Sequence, residues 1–210
     1  MREITLHELH RLALLSRRAL WDAAELAGHD TPKIYLHWTA GGYWHFFDDY
    51  HINIDEDGGL HASTEDLAEV LAHTWRRNTG GGGVAICGCY DATTADLGSA
   101  PPTLAQIEAM AQAVAVLCEE LGLPIKKACV LTHGEAADIE DGDTAGYGYD
   151  DAYGPKNGCE KWDLEYLGTP ESPIYNPYAT DGSRGGDVLR GKAIYWQNKW
   201  RADAERALPE

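Results

Sequence analysis

The sequence predicts an α/β fold, a single domain in which a central mixed β-sheet is flanked by helices. Apolar, β-prone runs alternate along the chain with segments of helical periodicity, and this alternation is typical of α/β folds. The chain has 210 residues and 44% hydrophobic content, which suit one domain with a substantial core. No internal repeat is visible.

Four segments have helical periodicity, and two of them carry clear start signals. Capping-box patterns occur at Thr5 with Glu8 and at Thr103 with Gln106, where each side chain can satisfy a free backbone amide of the other residue. The predicted helices span 5–27, 64–77, 104–121 and 188–206. The first is interpreted as an accessory helix that packs on the domain.

Five short apolar or alternating runs are predicted to be strands. They span 33–38, 50–54, 59–62, 84–89 and 128–132. The glycines at 80–83 are interpreted as a flexible connector, because neither a Gly-Lys-Ser/Thr motif nor a helix follows them to form a phosphate site. Residues 135–158 form a polar, acidic insertion, and a segment this long without regular structure is often functional. A loop bordering a substrate groove is favoured there over a calcium site.

The net charge of −17 argues against nucleic acid and against an anionic membrane surface as partners, since both need a basic patch. No run of about 18 apolar residues predicts a membrane span. The N-terminal apolar residues are interrupted by His10 and several arginines, so no signal peptide is predicted and synthesis in the cytoplasm is expected. Five cysteines without metal-site or redox spacing are expected to be buried and reduced.

A histidine lies at the end of each of two predicted strands: His37, with Gly41 shortly after it, and His133, which directly follows its strand and precedes Gly134. A carboxylate, Asp163, follows downstream. Two histidines and one aspartate can bind zinc and leave its fourth position open for water. The alternative is that each strand-end histidine is simply packed or capped. Nine histidines and 34 acidic residues offer many such triples.

Four short segments, taken in order, resemble the zinc-dependent N-acetylmuramoyl-L-alanine amidases, the type 2 amidase and peptidoglycan recognition protein family that includes phage amidase lysozymes. The segments are Ile-Tyr-Leu-His-Trp-Thr-Ala (34–40), Asp-Tyr-His-Ile-Asn-Ile-Asp-Glu-Asp-Gly (49–58), Leu-Thr-His-Gly-Glu (131–135) and Lys-Trp-Asp-Leu (161–164). The resemblance implies a sheet flanked by helices with zinc in a groove on one face. It also implies hydrolysis of the amide between N-acetylmuramic acid and L-alanine.

The resemblance assigns roles to individual residues. The zinc ligands are His37, His133 and Asp163. Lys161 stands where phage amidase lysozymes have a catalytic lysine, and it would stabilise an oxyanion; the alternative is a surface lysine. Tyr50 matches the tyrosine of the family's Tyr-His pair and would orient water or donate to the intermediate; the alternative is a packed strand tyrosine.

Further residues are predicted around the groove. Trp38, Thr39 and His73 are predicted to bind substrate, with a helix-surface position as the alternative for His73. His51 is expected to pack behind the site. Cys87 aligns with a glutamate of the cytoplasmic recycling amidases, and a thiol cannot replace that group as a proton shuttle.

These features predict a monomeric peptidoglycan amidase, a phage or prophage endolysin that reaches the wall through a holin or another route. The alternatives are an amidase for soluble muropeptides, a non-catalytic peptidoglycan-binding module and a secreted toxin. The predicted organisation is an accessory helix at 1–30, a catalytic domain at 31–168 and a C-terminal extension with a helix at 169–210.

Overall fold

The computed structural model describes residues 1–139, 154–156 and 161–206. Within these ranges the chain forms six strands and four helices. The strands are β1 (Arg2–Ile4), β2 (Lys33–Trp38), β3 (Ile52–Ile54), β4 (Leu60–Ala62), β5 (Gly81–Ile86) and β6 (Val130–Thr132). The helices are α1 (Leu6–Leu26), α2 (Leu104–Leu121), α3 (His133–Ala137) and α4 (Gly185–Arg206).

The strands form one mixed sheet in the order β1-β4-β3-β5-β2-β6. β2 pairs in parallel with β5 and β6, and β3 pairs in parallel with β5, whereas β4 runs antiparallel to β1 and β3. The carboxyl ends of four parallel strands therefore share one edge of the sheet. This arrangement confirms the predicted α/β fold with a mixed sheet.

Helices α1 and α2 begin where the sequence predicts. Both capping boxes form, with Thr5 bonded to Glu8 at the start of α1 and Thr103 bonded to Gln106 at the start of α2. Helices α1 and α4 pack against α2, and Trp21 Nε1 of α1 donates to a carbonyl of α2 at 2.9 Å. Because α2 also contacts β3 and β5, it is the helix around which the other two are arranged.

The predicted helix at 64–77 is wrong, since this segment folds into successive turns. The Oδ1 atom of Asn78 accepts hydrogen bonds from the backbone amides of His73 at 3.2 Å and Thr74 at 2.7 Å. Arg76 adopts a positive φ of 60°, which ends any helical run there. Local side-chain bonds of this kind compete with helical hydrogen bonding.

The interpretation of the glycines as a flexible connector is also wrong, because Gly81, Gly82 and Gly83 lie within β5. A Cβ atom at Gly81 would lie 2.7 Å from the ring of Tyr35, and one at Gly83 would lie 2.8 Å from the ring of His73. Glycine therefore serves here for close packing of a strand against rings.

Helix α4 begins earlier than predicted, at Gly185, and docks on the core. Val188, Trp196 and Trp200 pack against the core, while Ile194 is 42% exposed. Residues 140–153 and 157–158 of the predicted insertion lie outside the described residues, and so does Cys159. The other four cysteines are buried and free, as predicted. Within the described ranges, no helix is long and apolar enough to cross a bilayer.

Candidate metal centre

Two histidines meet at the carboxyl ends of neighbouring parallel strands. The pairing of β2 with β6 sets Leu36 opposite Thr132, and His37 and His133 are the next residues after these two. Their ring centroids are 4.8 Å apart. In open α/β sheets, ligands bind beyond the carboxyl ends of the strands, so the register itself creates a candidate site.

His133 is the first residue of α3, and the helix cap fixes its place. Thr132 Oγ1 accepts from the amide of Glu135 at 3.0 Å, and a carboxylate oxygen of Glu135 accepts from the amide of Thr132 at 3.1 Å. This capping box determines where the strand turns into the helix. The His133 ring is consequently positioned by the backbone as well as by its own packing.

Asp163 completes a cluster with the two histidines. One of its carboxylate oxygens lies 3.5 Å from Nδ1 of His37 and 3.5 Å from Nδ1 of His133. The ligand atoms of the three residues all lie within 4.8 Å of one another, and all three residues are buried. The structure thus brings together the predicted metal ligands.

The cluster has the dimensions and donors of a zinc site. Nitrogen and oxygen ligands about 2.0–2.2 Å from tetrahedral zinc are separated from one another by roughly 3.3–3.5 Å, which matches the 3.5 Å distances from Asp163. Nδ1 of His37 is buried and makes no hydrogen bond within the described part of the chain. A buried ring nitrogen without a hydrogen bond needs an explanation, and a bound metal supplies one.

Burial and charge set the protonation states in the cluster. Burial lowers the pKa of His37 to about 4, so its ring is neutral at neutral pH. Burial alone would raise the pKa of Asp163, but its attraction to the neighbouring His133 and His37 outweighs burial and lowers that pKa. Neutral imidazole and ionised carboxylate are the forms that bind metal ions.

A cleft of about 500 Å³ opens beside the cluster. Its lining includes seven of the eight predicted site residues and four others: Trp38, Thr39, Ala40, Tyr50, Ala72, His73, Trp75, Asn78, His133, Lys161 and Asp163. The eighth predicted residue, His37, is fully buried beneath it. A substrate in this cleft would lie against the metal ligands.

The two predicted catalytic residues both reach this cleft. The Tyr50 ring lies 5.0 Å from the His37 ring, centroid to centroid, and its hydroxyl donates to the Trp38 carbonyl at 3.3 Å. Burial raises the pKa of Tyr50, so the hydroxyl is a hydrogen-bond donor at neutral pH. Lys161 is exposed at the cleft. Their catalytic roles stay predictions.

The predicted substrate-binding residues form part of the cleft wall. Trp38 is mostly buried, in edge contact with Trp162 at 4.4 Å between centroids. Thr39 Oγ1 accepts from the amides of Gly41 and Gly88 at 3.3 and 3.1 Å. These contacts hold the wall in shape, and contact with substrate stays a prediction.

Two further histidines lie behind the cluster. His51 Nδ1 accepts from the amide of Gly83 at 3.0 Å, and its Nε2 lies 2.9 Å from the carbonyl of Glu69. Both of its ring nitrogens are thus engaged, which agrees with the expected packing role. His73 is 6% exposed and lies in the turn segment, so the helix-surface alternative is wrong.

Sequence reasoning missed the residues that hold the two ligand-bearing segments. Arg190 of α4 binds Glu135 through two bonds of 2.6 and 2.9 Å, and Arg184 binds Glu165. Each glutamate stands two residues after a predicted ligand, and each is buried. A glutamate two residues after a predicted ligand occurs twice, and this repetition could have indicated a structural role for Glu135 and Glu165. No sequence pattern identified Arg184 and Arg190 as their partners.

Acid is expected to destabilise the metal-free protein below about pH 6.5, because the fold holds His37 and His73 neutral. Burial lowers the pKa of His37 to about 4 and that of His73 to about 2. The unfolded chain therefore binds these protons at higher pH than the folded one. Stability should be full above about pH 6.5 and fall towards pH 4, with about 3 kcal/mol from His37 alone.

Urea denaturation of the metal-free protein at about pH 7, 5.5 and 4 measures this loss. His73→Asn removes one of the buried rings and should make the dependence on pH shallower. His45→Asn changes an exposed ring and should leave it as in the wild type. Equal unfolding free energies across the range would contradict the prediction.

The fold and the site together define an α/β protein with a possible metal centre in an open cleft. Residues 12–148 match the family model described as N-acetylmuramoyl-L-alanine amidase. The chain belongs to this family, which confirms the resemblance and supports amidase activity on peptidoglycan. Comparison with curated proteins and with solved structures finds no match. The matched span includes His37, Tyr50 and His133, while Lys161 and Asp163 lie beyond it.

Proposed function

We propose that the protein is a zinc-dependent hydrolase that cleaves the amide between N-acetylmuramic acid and L-alanine, and that it acts as a phage or prophage endolysin. The observation that carries the proposal is the buried His37, His133 and Asp163 cluster in a chain of the amidase family. The family is typically zinc-dependent, and the ligand spacing fits that metal.

His37, His133 and Asp163 would hold the zinc, which would activate water and polarise the scissile carbonyl. Other side chains in the cleft would stabilise the developing charge and position the substrate. The Lys161 ammonium would stabilise negative charge as it develops on the carbonyl oxygen. The protonated Tyr50 hydroxyl, which here donates to the Trp38 carbonyl, would turn to donate its hydrogen bond to the reaction intermediate. Trp38 and Thr39 would hold the wall against which the glycan-peptide junction lies.

The buried environment of Cys87 favours a lytic enzyme over a recycling one. Burial raises the pKa of this thiol to about 12, so it is not a proton shuttle at neutral pH. Its sulfur lies 3.9 Å from Asn53 Oδ1, and among the described residues the cleft lining does not include it. The enzyme would therefore depend on Tyr50 and Lys161, as the phage lysozymes do.

The test is digestion of purified sacculi by the zinc-loaded protein, followed by labelling of newly freed amino termini. We expect new L-alanine termini without new reducing sugar ends, one zinc per chain, and loss of release after chelation. His133→Ala should be inactive, whereas His45→Ala, at an exposed loop position, should behave as the wild type.

Three results would each contradict one part of the proposal. Release that continues at the same rate in the zinc-free protein would exclude zinc dependence. New reducing ends in place of L-alanine termini would exclude the amide bond as the target. Activity confined to soluble muropeptides, with intact sacculi untouched, would replace the endolysin role by the recycling role.

A further inference from the structure

A continuous set of polar contacts runs from the predicted ligand His37 to His73 and Thr74, which lie in the turns of residues 64–77. Nδ1 of His37 faces Asp163, and its other ring nitrogen, Nε2, lies 3.2 Å from Thr74 Oγ1. The same hydroxyl lies 2.9 Å from Nδ1 of His73. Thr74 and His73 are 1% and 6% exposed, so solvent has little access to these contacts.

If a metal bound Nδ1 of His37, the donor and the acceptor of each hydrogen bond in this set would be fixed. Nδ1 must then offer its lone pair, so the ring proton is on Nε2 and donates to Thr74 Oγ1. The Thr74 hydroxyl oxygen accepts this hydrogen bond, and its own hydrogen is then donated to Nδ1 of His73. His73 must be neutral to accept it, which agrees with its burial.

The local fold holds the Thr74 hydroxyl in place. Asn78 Oδ1 accepts from the amides of both His73 and Thr74, which fixes the backbone that carries the hydroxyl. On the far side, the His73 ring lies against Gly83, where a Cβ atom would come within 2.8 Å. The turn conformation around Thr74 and the absence of a side chain at Gly83 therefore both help to place the His73 ring against the Thr74 hydroxyl.

We propose that Thr74 is a positioning residue for the metal centre, which holds His37 in the tautomer and orientation that present Nδ1 to the metal, with His73 as the terminal acceptor. The inference rests on the proposed zinc site. Residues that bond to the second ring nitrogen of a metal-binding histidine fix its tautomer and raise its basicity. Neither Thr74 nor His73 is required to contact substrate for this role.

The test is the zinc affinity of the full chain, measured by competition with a chromophoric chelator. Thr74→Val keeps the shape and removes the hydroxyl, and we expect its affinity to fall about 10- to 100-fold. Thr74→Ser keeps the hydroxyl and should stay close to the wild type. The visible spectrum of the cobalt-loaded protein, which reports ligand geometry, should change for the valine variant and not for the serine variant.

A second pair of variants keeps the proposal testable if Thr74→Val does not fold. His73→Phe removes the acceptor and should weaken zinc binding, whereas His73→Asn keeps a polar atom near Nδ1 and should weaken it less. If folded Thr74→Val bound zinc as tightly as the wild type, the inference about Thr74 would be overturned, while the proposed zinc site would stand. If Thr74→Val did not fold, wild-type zinc affinity in folded His73→Phe would have the same consequence. Absence of zinc binding by the wild type would overturn both this inference and the proposed function.

Discussion

Asp163→Asn is expected to lose tight zinc binding and to lower the rate of sacculus digestion by about 10³-fold. Metal activation of a carbonyl and water is worth several kcal/mol, and each 1.36 kcal/mol changes the rate tenfold. Asparagine keeps the size of the side chain but removes the charge that balances the metal. The measurements are zinc content after dialysis and the rate of appearance of L-alanine amino termini.

A matched control distinguishes the loss of a metal ligand from the general effect of removing a buried carboxylate charge. Asp55 is 5% exposed, accepts from the amides of Asp57 and Gly59, and lies 2.7 Å from Nε2 of His61. Asp55→Asn should lower stability while the protein keeps its zinc. If Asp163→Asn bound one zinc as tightly as the wild type, Asp163 would not be a ligand.

Arg190→Met is expected to lower the free energy of unfolding by about 3 kcal/mol, because removing one partner of a buried ion pair leaves the other charge poorly compensated. The half-exposed Lys127 remains beside Glu135, at 3.4 Å. Glu135 is 1% exposed, and Arg190 binds both of its oxygens. Arg190 also donates to the carbonyl of Val130 at 3.0 Å. Urea denaturation at neutral pH, with the metal removed, measures the change.

The controls for this variant come from the same helix and from the same pair. Arg201 pairs with Glu119 at the surface, where both side chains are about half exposed, so Arg201→Met should cost under about 1 kcal/mol. Combining Arg190→Met with Glu135→Gln should recover part of the loss, since glutamine removes the unpaired charge and keeps an oxygen that can accept from the Thr132 amide. A cost below about 1 kcal/mol for Arg190→Met alone would contradict the prediction.

The parts of the fold that the sequence predicted correctly depend on local signals. The starts of α1 and α2 follow from capping residues that bond within three positions of each other, as Thr5 does with Glu8. The cluster of His37 and His133 follows from strand ends, because parallel strands in register bring their last residues together. The assignment of Asp163 needed the family resemblance, since nothing local links it to either strand.

The parts that failed depend on contacts between distant segments. Leu67, Val70 and Trp75 have helical spacing, but Leu67 alone is buried, and the other two are 58% and 63% exposed. The amide of Leu67 is instead bound by Ser16 of α1 at 2.9 Å. The first half of β5, residues 81–83, carries no side-chain pattern, so only its neighbours in the sheet reveal that the strand begins before the predicted 84–89 run.

The positions of the two arginine–glutamate pairs in the chain also bear on the order in which the protein folds during synthesis. Arg184 and Arg190 are made after every predicted metal ligand, and the ligand-bearing segments stay without these partners until the ribosome has released them. Domains generally fold as units during synthesis. A nascent chain that has released β2, β6 and the Asp163 turn but not Arg184 and α4 therefore lacks the ion pairs to Glu135 and Glu165. We expect the cluster of His37, His133 and Asp163 to reach its full stability only after these last residues have been synthesised.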